Sequence, residues 1–415
     1  MRARAANLPL AWATIAAAAL FVLACAVIPG GLLRGGQYGD VTLYARDARL
    51  VLDGKIPYRD FTLEYPPGSL AAFLPPAIST AHYTELFRIL MTICGAAALV
   101  LAVPLLKGRD SWTRTGVLAA VALAPLALGP IALAEYDFWP SVLTIAALAA
   151  FVVDRSRLGG ALLGLGAATK IFPAAILPAA LVWVYRRSGR RAALLSLGCF
   201  VAAAGALYAV FAAVGPGGVW YSIELQARRG LQKESTGAAV LYVLDQLGLY
   251  KAHIVEGNAR WTELTGRAGD LLAPLSTAAQ VLVAAGVAYA VGRRRPERHV
   301  LVVAAAAAVT GFVAFGKVFS PQYLVWLVPL VPLAGGLLDV ALLAAALIVT
   351  QLWFLDILTP FDLGSQVWFV VARDGVLLVL LVSLLRRLQR AELAALQRAL
   401  RTARPERGPA RAGPT

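Results

Sequence analysis

The sequence is poor in charge. Only 15% of its 415 residues are Asp, Glu, Lys or Arg, while 60% are hydrophobic. A soluble domain is nearer roughly a quarter charged and half apolar. Such a chain cannot coat itself for water, which excludes a soluble enzyme and a disordered protein. Cysteine is scarce too: Cys25, Cys94 and Cys199 all sit in apolar runs, without the spacing of a disulfide scaffold or a metal knuckle. Three histidines in unrelated contexts argue against a zinc site. What remains is an all-α polytopic membrane protein.

The net charge is +15, from 38 Lys and Arg against 23 Asp and Glu. In a soluble protein that balance would suggest nucleic acid. Here it is assigned to cytoplasmic loops, with the lipid bilayer as partner and no nucleic acid. Apolar runs extend from 8–28 to 367–385. The first is expected to be a retained helix rather than a signal peptide, because little charge precedes it and no small-x-small cleavage site follows. The run 158–185 has Arg155 and Arg157 before it and Arg186, Arg187, Arg190 and Arg191 after it. Both ends therefore belong on one side. Lys170 and Pro173 interrupt the middle, which predicts two short helices turning near Lys170 on the far side. That gives about 12 transmembrane helices with both termini cytoplasmic. On this assignment the cytoplasmic segments hold 23 basic residues, and Asp110, Asp154, Glu297, Asp339, Glu392 and Glu406 are the acids there. Two long far-side loops result, about 29–84 and 215–270, and Leu70–Pro76 can lie in the interface. Residues 1–385 form the expected membrane domain. Residues 386–415 form a basic tail, with Leu393, Leu396 and Leu400 at helical spacing and disorder expected beyond Arg404. No internal repeat is visible, which counts against an inverted-repeat transporter.

Chemistry-bearing residues gather in the far-side segments. Residues 35–68 hold Asp40, Asp47, Asp53, Asp60 and Glu64, together with Tyr38, Tyr44, Tyr58 and Tyr65. The spacing predicts a helix over 41–52, with Val41, Tyr44, Ala45, Ala48 and Val51 or Leu52 on one face. Asp40 is placed to cap it, to act as a general base at the membrane surface, or to do both. Glu64-Tyr65-Pro66-Pro67-Gly68 is a rigid turn suited to sugar stacking, or simply a re-entry into the membrane. Glu135, Tyr136, Asp137, Trp139 and Pro140 fill a short turn. Its carboxylates can orient an acceptor, help hold a divalent cation, or be ordinary turn residues. Lys170 within an apolar run marks a functional site unless it snorkels to the surface. Arg373 is similar unless Asp374 neutralises it locally. Arg228, Arg229, Gln232, Lys233 and Glu234, with Lys317, Ser320, Pro321, Gln322 and Tyr323, suit a phosphate at head-group level or generic anionic lipid.

These residues carry a resemblance. Gly39-Asp40-x-x-x-Tyr44, then Gly54, Tyr58 and Glu64-Tyr65-Pro66-Pro67, resembles the first loop of bacterial polyprenol-phosphate-sugar-dependent glycosyltransferases of GT-C architecture. It is similar to glycosyltransferase family 87, the mannosyltransferases of actinobacterial envelope synthesis. Tyr136-Asp137-x-x-Pro140, Gly164 with Thr169-Lys170-x-x-Pro173, Arg229-Gly230-Leu231-Gln232-x-Glu234-Ser235 and Ser320-Pro321-Gln322-Tyr323-x-x-Trp326 extend the likeness over about 35–375. Nothing is recognised in 240–268. The resemblance implies inverting transfer of a sugar, with mannose the implied one, from a polyprenyl-phosphate donor to a glycolipid or glycan acceptor. The reaction would take place on the periplasmic face of a bacterial plasma membrane. It maps the catalytic base onto Asp40. Tyr44, Tyr58, Glu64, Tyr65, Asp137, Lys170, Arg229, Glu234, Lys317, Gln322, Tyr323 and Arg373 become the substrate-binding candidates. Lys170, Arg229 and Arg373 are the candidates for neutralising the leaving phosphate. No cofactor is assigned, and a magnesium or manganese ion is left open. An Ala- and Arg-rich, Lys-poor composition suits a high-GC bacterium and decaprenyl phosphate as carrier. A transporter or lipid flippase is the competing reading. If Lys170 serves the donor, Lys170→Met should leave the fold intact.

Overall fold

Long apolar runs become helices because an unpaired peptide group is costly without water, and a helix pairs its own. The computed structural model describes residues 9–28, 39–256, 262–354 and 366–402, with 390–402 as backbone alone. Tyr38, the first ten residues of the first expected loop, the leucine face of the tail and the stretch past Arg404 lie outside the described residues. Among the described residues, six segments are long and apolar enough to cross a membrane: Leu10–Val27, Tyr83–Leu106, Ser111–Leu133, Phe172–Ala212, Arg267–Gly292 and Val367–Gln389. Shorter apolar helices cover Phe138–Val152, Arg298–Ala314, Pro321–Ala334 and Leu337–Trp353. The chain is a mostly helical, multi-pass membrane protein. Its outer faces agree: Val201, Val210, Val281 and Leu282 are exposed, an arrangement that water penalises and lipid does not.

Helix Arg298–Ala314 lies in the middle. Ala304, Ala305, Ala306, Ala307 and Ala308 are all buried. Side chains this small let Arg267–Gly292, Leu327–Ala334 and the last helix, Val367–Thr402, pack closely against it. Helix Ser156–Ala167 ends just before Lys170. A 3-10 turn over Phe172–Ile176 follows, and Leu177–Ala212 runs back beside Ser156–Ala167. The expected turn at Lys170 is present, and Pro173 near the start of the 3-10 turn explains why the helix cannot run through. Leu177–Ala212 is itself two helices joined at Gly189, where φ is 83°, inside the expected arginine group.

In the first expected loop, helix Val41–Leu52 buries Val41, Tyr44 and Ala48, as the spacing predicts. Asp47 shares the buried face, paired with Arg46 at 2.6 Å, and Leu52 is exposed instead. The second expected loop corrects the all-α expectation. Helices Pro216–Ala227 and Thr236–Gln246 accompany a small antiparallel sheet of β1 (Leu231–Gln232), β2 (His253–Glu256) and β3 (Thr262–Thr265), in the order β1-β3-β2. Leu231, Leu241, Tyr242 and Leu264 form a second core together with Ala273 and Val367 of the neighbouring helices. Gln232 fastens it to the membrane domain: its N–H donates to the Lys317 carbonyl at 2.9 Å, and its Oε1 accepts from the Phe319 N–H at 3.0 Å.

Two of the interrupted segments meet at Gly68. Its N–H donates to the Ala168 carbonyl at 2.8 Å, and its carbonyl accepts from the Trp139 indole at 3.3 Å. A Cβ there would stand 2.5 Å from Thr169 Oγ1 and 2.8 Å from the Ala168 oxygen. Gly68→Ala should therefore lose about 1–3 kcal/mol, the usual scale of overpacking. Gly205→Ala, whose Cβ meets nothing within 4 Å, should hold its stability. Thermal unfolding in detergent measures both, and an unchanged midpoint for Gly68→Ala would refute the contact.

Candidate active site

Asp40 ends the segment leading into helix Val41–Leu52, but its side chain does not cap that helix. With ψ at 17° the residue departs from the extended conformation that aims a side chain at the first turn. The carboxylate faces Tyr65 instead, whose hydroxyl donates a short hydrogen bond to Asp40 Oδ2. The Asp40 N–H donates to Glu135 Oε1 at 3.2 Å, and the Tyr44 hydroxyl donates a short hydrogen bond to Glu135 Oε2. Gly39 makes this approach feasible. Its φ is +90°, and a Cβ would collide with the Ala134 carbonyl. Asp40 is half-buried while Glu135 is buried. Burial, with Asp40 and Asp137 nearby, pushes the Glu135 carboxyl up to about 8 against the pull of Lys170 and the Tyr44 hydroxyl.

A second cluster stands beside the first. Lys170 Nζ donates to both oxygens of Asp137, at 2.8 and 2.9 Å. The Trp326 indole donates to Asp137 Oδ1 at 2.5 Å. The Lys170 ammonium lies 4.6 Å from the centre of the Tyr136 ring, 5.4 Å from that of Tyr323 and 5.5 Å from that of Trp326. Burial pulls the lysine down, but Asp137, Tyr323 and Glu135 more than offset it, so its pKa is raised and it stays a cation. Burial raises Asp137 despite the lysine and the indole. Tyr136 joins the clusters. Its ring meets those of Tyr65 and Tyr44 edge-on at 5.3 and 5.5 Å, and its hydroxyl donates to the Thr169 carbonyl at 3.3 Å.

The structure thus brings together Asp40, Tyr44, Tyr65, Asp137, Lys170 and Tyr323 from the predicted set. Glu64 is half-buried within electrostatic reach of Tyr65 and Tyr136. Its carbonyl accepts from Ser222 Oγ at 3.3 Å and Gln226 Nε2 at 3.4 Å. Gln322 is half-buried in the turn that carries Tyr323. Arg229 reaches Gln226 Oε1 at 3.3 Å and acts electrostatically on Tyr323, Glu234 and Lys317. Lys317 donates to the Ala227 carbonyl at 2.6 Å. Tyr58 and Arg373 stand apart. The Tyr58 hydroxyl donates to the Tyr65 carbonyl at 2.6 Å, which orients the turn. Arg373 is fully buried. It pairs with Asp374 at 2.8 Å, donates to the Glu234 carbonyl at 2.5 Å and lies 3.8 Å over Phe319. Glu234 is buried beside it, and burial pushes its carboxyl up to about 7 against the pull of Arg373 and Lys233.

Glu135, Tyr136 and Trp326 were not among the substrate candidates, although all three lie in segments that the sequence singles out. Tyr136 and Trp326 are each one motif position away from a predicted residue, and only the packing shows that they flank Lys170. Among the described residues, no group of three or more His, Cys, Asp and Glu is placed to hold a metal. The Asp137 oxygens face an ammonium, which does not fit a cation site.

Helices long and apolar enough to cross a membrane surround carboxylates, tyrosines and a buried lysine, a candidate site whose class comes from the comparison with known families. Residues 61–321 match glycosyltransferase family 87. The chain belongs to that family and is a glycosyltransferase. No curated protein matches it. The matched span holds Tyr65, Glu135, Asp137 and Lys170, while Asp40 precedes it and Tyr323 and Trp326 follow it.

The ion pair changes the expectation for Lys170→Met. With Asp137 buried and both its oxygens on Nζ, loss of the lysine leaves an uncompensated carboxylate. The fold should lose about 3 kcal/mol or more, the scale for breaking a buried pair. Combining Lys170→Met with Asp137→Leu should recover most of it. Unfolding midpoints of the single and double variants provide the check, and a fully stable Lys170→Met would rule out a structural pair.

Proposed function

We propose that this glycosyltransferase moves a sugar, mannose, from a polyprenyl-phosphate donor to a glycolipid or glycan acceptor, with inversion, on the periplasmic face. The observation that carries the reading is Asp40. Its half-buried carboxylate is aimed by Tyr65 and stands beside the Asp137–Lys170 pair. Asp40 takes the proton of the acceptor hydroxyl as that oxygen bonds to the anomeric carbon. The bond from that carbon to the phosphate oxygen breaks, and its electron pair leaves with the polyprenyl phosphate. Attack opposite the leaving group inverts the centre. Arg229 and Lys317, with the field of Lys170, take up the negative charge of the phosphate. Tyr65, Glu64 and Tyr323 supply stacking and hydroxyl contacts for the sugar. The polyprenyl chain stays among apolar helices while its phosphate remains at the surface.

Asp40→Asn keeps the size of the side chain but removes the proton acceptor. Turnover should fall by roughly 10²-fold or more, the usual weight of a general base, with folding nearly unchanged. Membranes supplied with labelled polyprenyl-phosphate mannose, glucose or arabinose give the assay and identify the sugar. Wild-type turnover by Asp40→Asn would refute the base.

The charge distribution supports twelve crossings, with residues 1–385 as the catalytic domain, both termini and the 386–415 tail cytoplasmic, and the segments 29–84 and 215–270 outside. Cysteines introduced singly into those two segments should react with an impermeant maleimide in intact cells. Protection of both would reverse the orientation and move the site to the cytoplasm.

A further inference from the structure

Three carboxyl groups, Asp40, Glu135 and Asp137, face one lysine, and Lys170 is already committed to Asp137. Glu135 is the buried member that touches Asp40. It receives the Asp40 N–H on one oxygen and the Tyr44 hydroxyl on the other. Helix Val41–Leu52 begins at Asp40, so Glu135 fixes the point at which the helix and the proposed base start. From the other side, Tyr65 fixes the carboxylate itself.

We propose that Glu135 is the positioning residue of Asp40, and that it serves in its uncharged form so that Asp40 can be the anion. This rests on the proposed role of Asp40 as base. The groups that face Glu135 are Asp40 and Tyr44 from the first far-side segment, Asp137 from its own turn, and Lys170 from the interrupted helix. Tyr65 and Tyr136 add only neutral hydroxyls. Were Glu135 ionised together with Asp40 and Asp137, one ammonium would face three carboxylates in a buried setting, with two charges uncompensated. Keeping the proton on Glu135 Oε2, which then donates to the Tyr44 oxygen while Oε1 still accepts from the Asp40 N–H, removes one of them. The elevated proton affinity of Glu135 agrees with this arrangement. A group raised in this way is neutral below about 8 and gains charge as the pH passes that value. The added negative charge would stand beside an anionic donor and weaken its binding.

The test compares Glu135→Gln, Glu135→Ala and Tyr44→Phe with wild type in purified detergent-solubilised enzyme, with monodispersity and unfolding midpoint as controls for folding. Glutamine keeps an acceptor for the Asp40 N–H and is permanently uncharged. At pH 7 it should retain turnover within about threefold. Alanine removes the acceptor and should lower kcat by roughly 10- to 10²-fold, the effect of a misplaced catalytic group, with donor KM little changed. Tyr44→Phe frees one Glu135 oxygen and should lower kcat in the same direction by a smaller factor, so the inference stays testable should the alanine variant not fold. In wild type, donor KM should climb above about pH 8, and in Glu135→Gln the climb should vanish. If glutamine is as slow as alanine, the uncharged form is not what the site needs. If alanine and Tyr44→Phe both keep wild-type kcat, Glu135 positions nothing. If donor KM climbs equally in Glu135→Gln, another group titrates. Asp40→Asn run alongside separates the two proposals: if it is active the base assignment fails and this inference with it. If it is inactive while the Glu135 variants behave like wild type, only this inference fails.

Discussion

The site depends on one buried ion pair. Asp137 and Lys170 would each be expensive alone in a low-dielectric interior, and each is tolerable only because the other is there. Lys170 reaches both carboxylate oxygens and Trp326 reaches one of them. Three chain segments far apart in sequence are thereby held at one point: the turn after helix Ser111–Leu128, the interruption after helix Ser156–Ala167, and the turn that opens helix Leu327–Ala334. Aromatic stacking spreads the constraint outward. Phe172 lies on Trp326 at 4.3 Å, Trp326 on Tyr323 at 4.1 Å, and Tyr323 on Phe319 at 6.3 Å. Phe319 carries the guanidinium of Arg373 on its face. The pair near the first far-side segment and the arginine of the last helix are thus two ends of one packed series.

Four proline-bearing 3-10 turns border this point: Pro67–Ser69, Gly129–Leu133, Phe172–Ile176 and Pro321–Trp326. Each has a proline at its first or second position, where the missing N–H costs nothing. Each leaves backbone groups that a longer helix would have paired. Non-helical backbone is tolerated at the edge of a bilayer only where protein encloses it. The enclosure is visible in the pairing of Gly68 N–H with the Ala168 carbonyl, and of the Tyr136 hydroxyl with the Thr169 carbonyl. The freed backbone groups are therefore the means by which the turns recognise one another.

This explains which features the sequence discloses. A lysine and a proline inside an apolar run, with arginines at both ends, announce the interruption at Lys170, because the cost of charge in lipid and the chemistry of proline are local properties. The face of helix Val41–Leu52 is legible for the same reason, apart from Asp47 and Leu52. What Asp40 touches is not local. A helix cap and a partner of Tyr65 look alike until the turn twenty-five residues on is placed. Glu135 and Asp137 are indistinguishable as neighbouring acids in one turn, and only packing gives the lysine to Asp137 and leaves Glu135 with a tyrosine and a peptide N–H. The small sheet escaped because its strands are two to four residues long, too short to show a period. Arg373 beside Asp374 reads as a pair from sequence, yet its contact with the Glu234 carbonyl needed the second far-side segment to fold.

The arrangement of charge also gives the proposed reaction a direction. A group that accepts a proton has to stand at the acceptor hydroxyl, whereas a departing phosphate needs cations. Asp40 stands on the side of Glu135 and the tyrosines. Arg229 and Lys317 come from the segment 215–270 and the loop that Gln232 ties to it. Lys170, paired with Asp137 yet within electrostatic reach of Glu135 and Tyr323, lies between the two. An anomeric carbon held against Tyr65 and Tyr323 would then have its nucleophile on the acidic side and its leaving group on the basic side. Such a gradient would favour transfer over hydrolysis only if the second segment is seated when the donor binds. The two hydrogen bonds of Gln232 to the Lys317–Phe319 backbone are the contacts in a position to seat it.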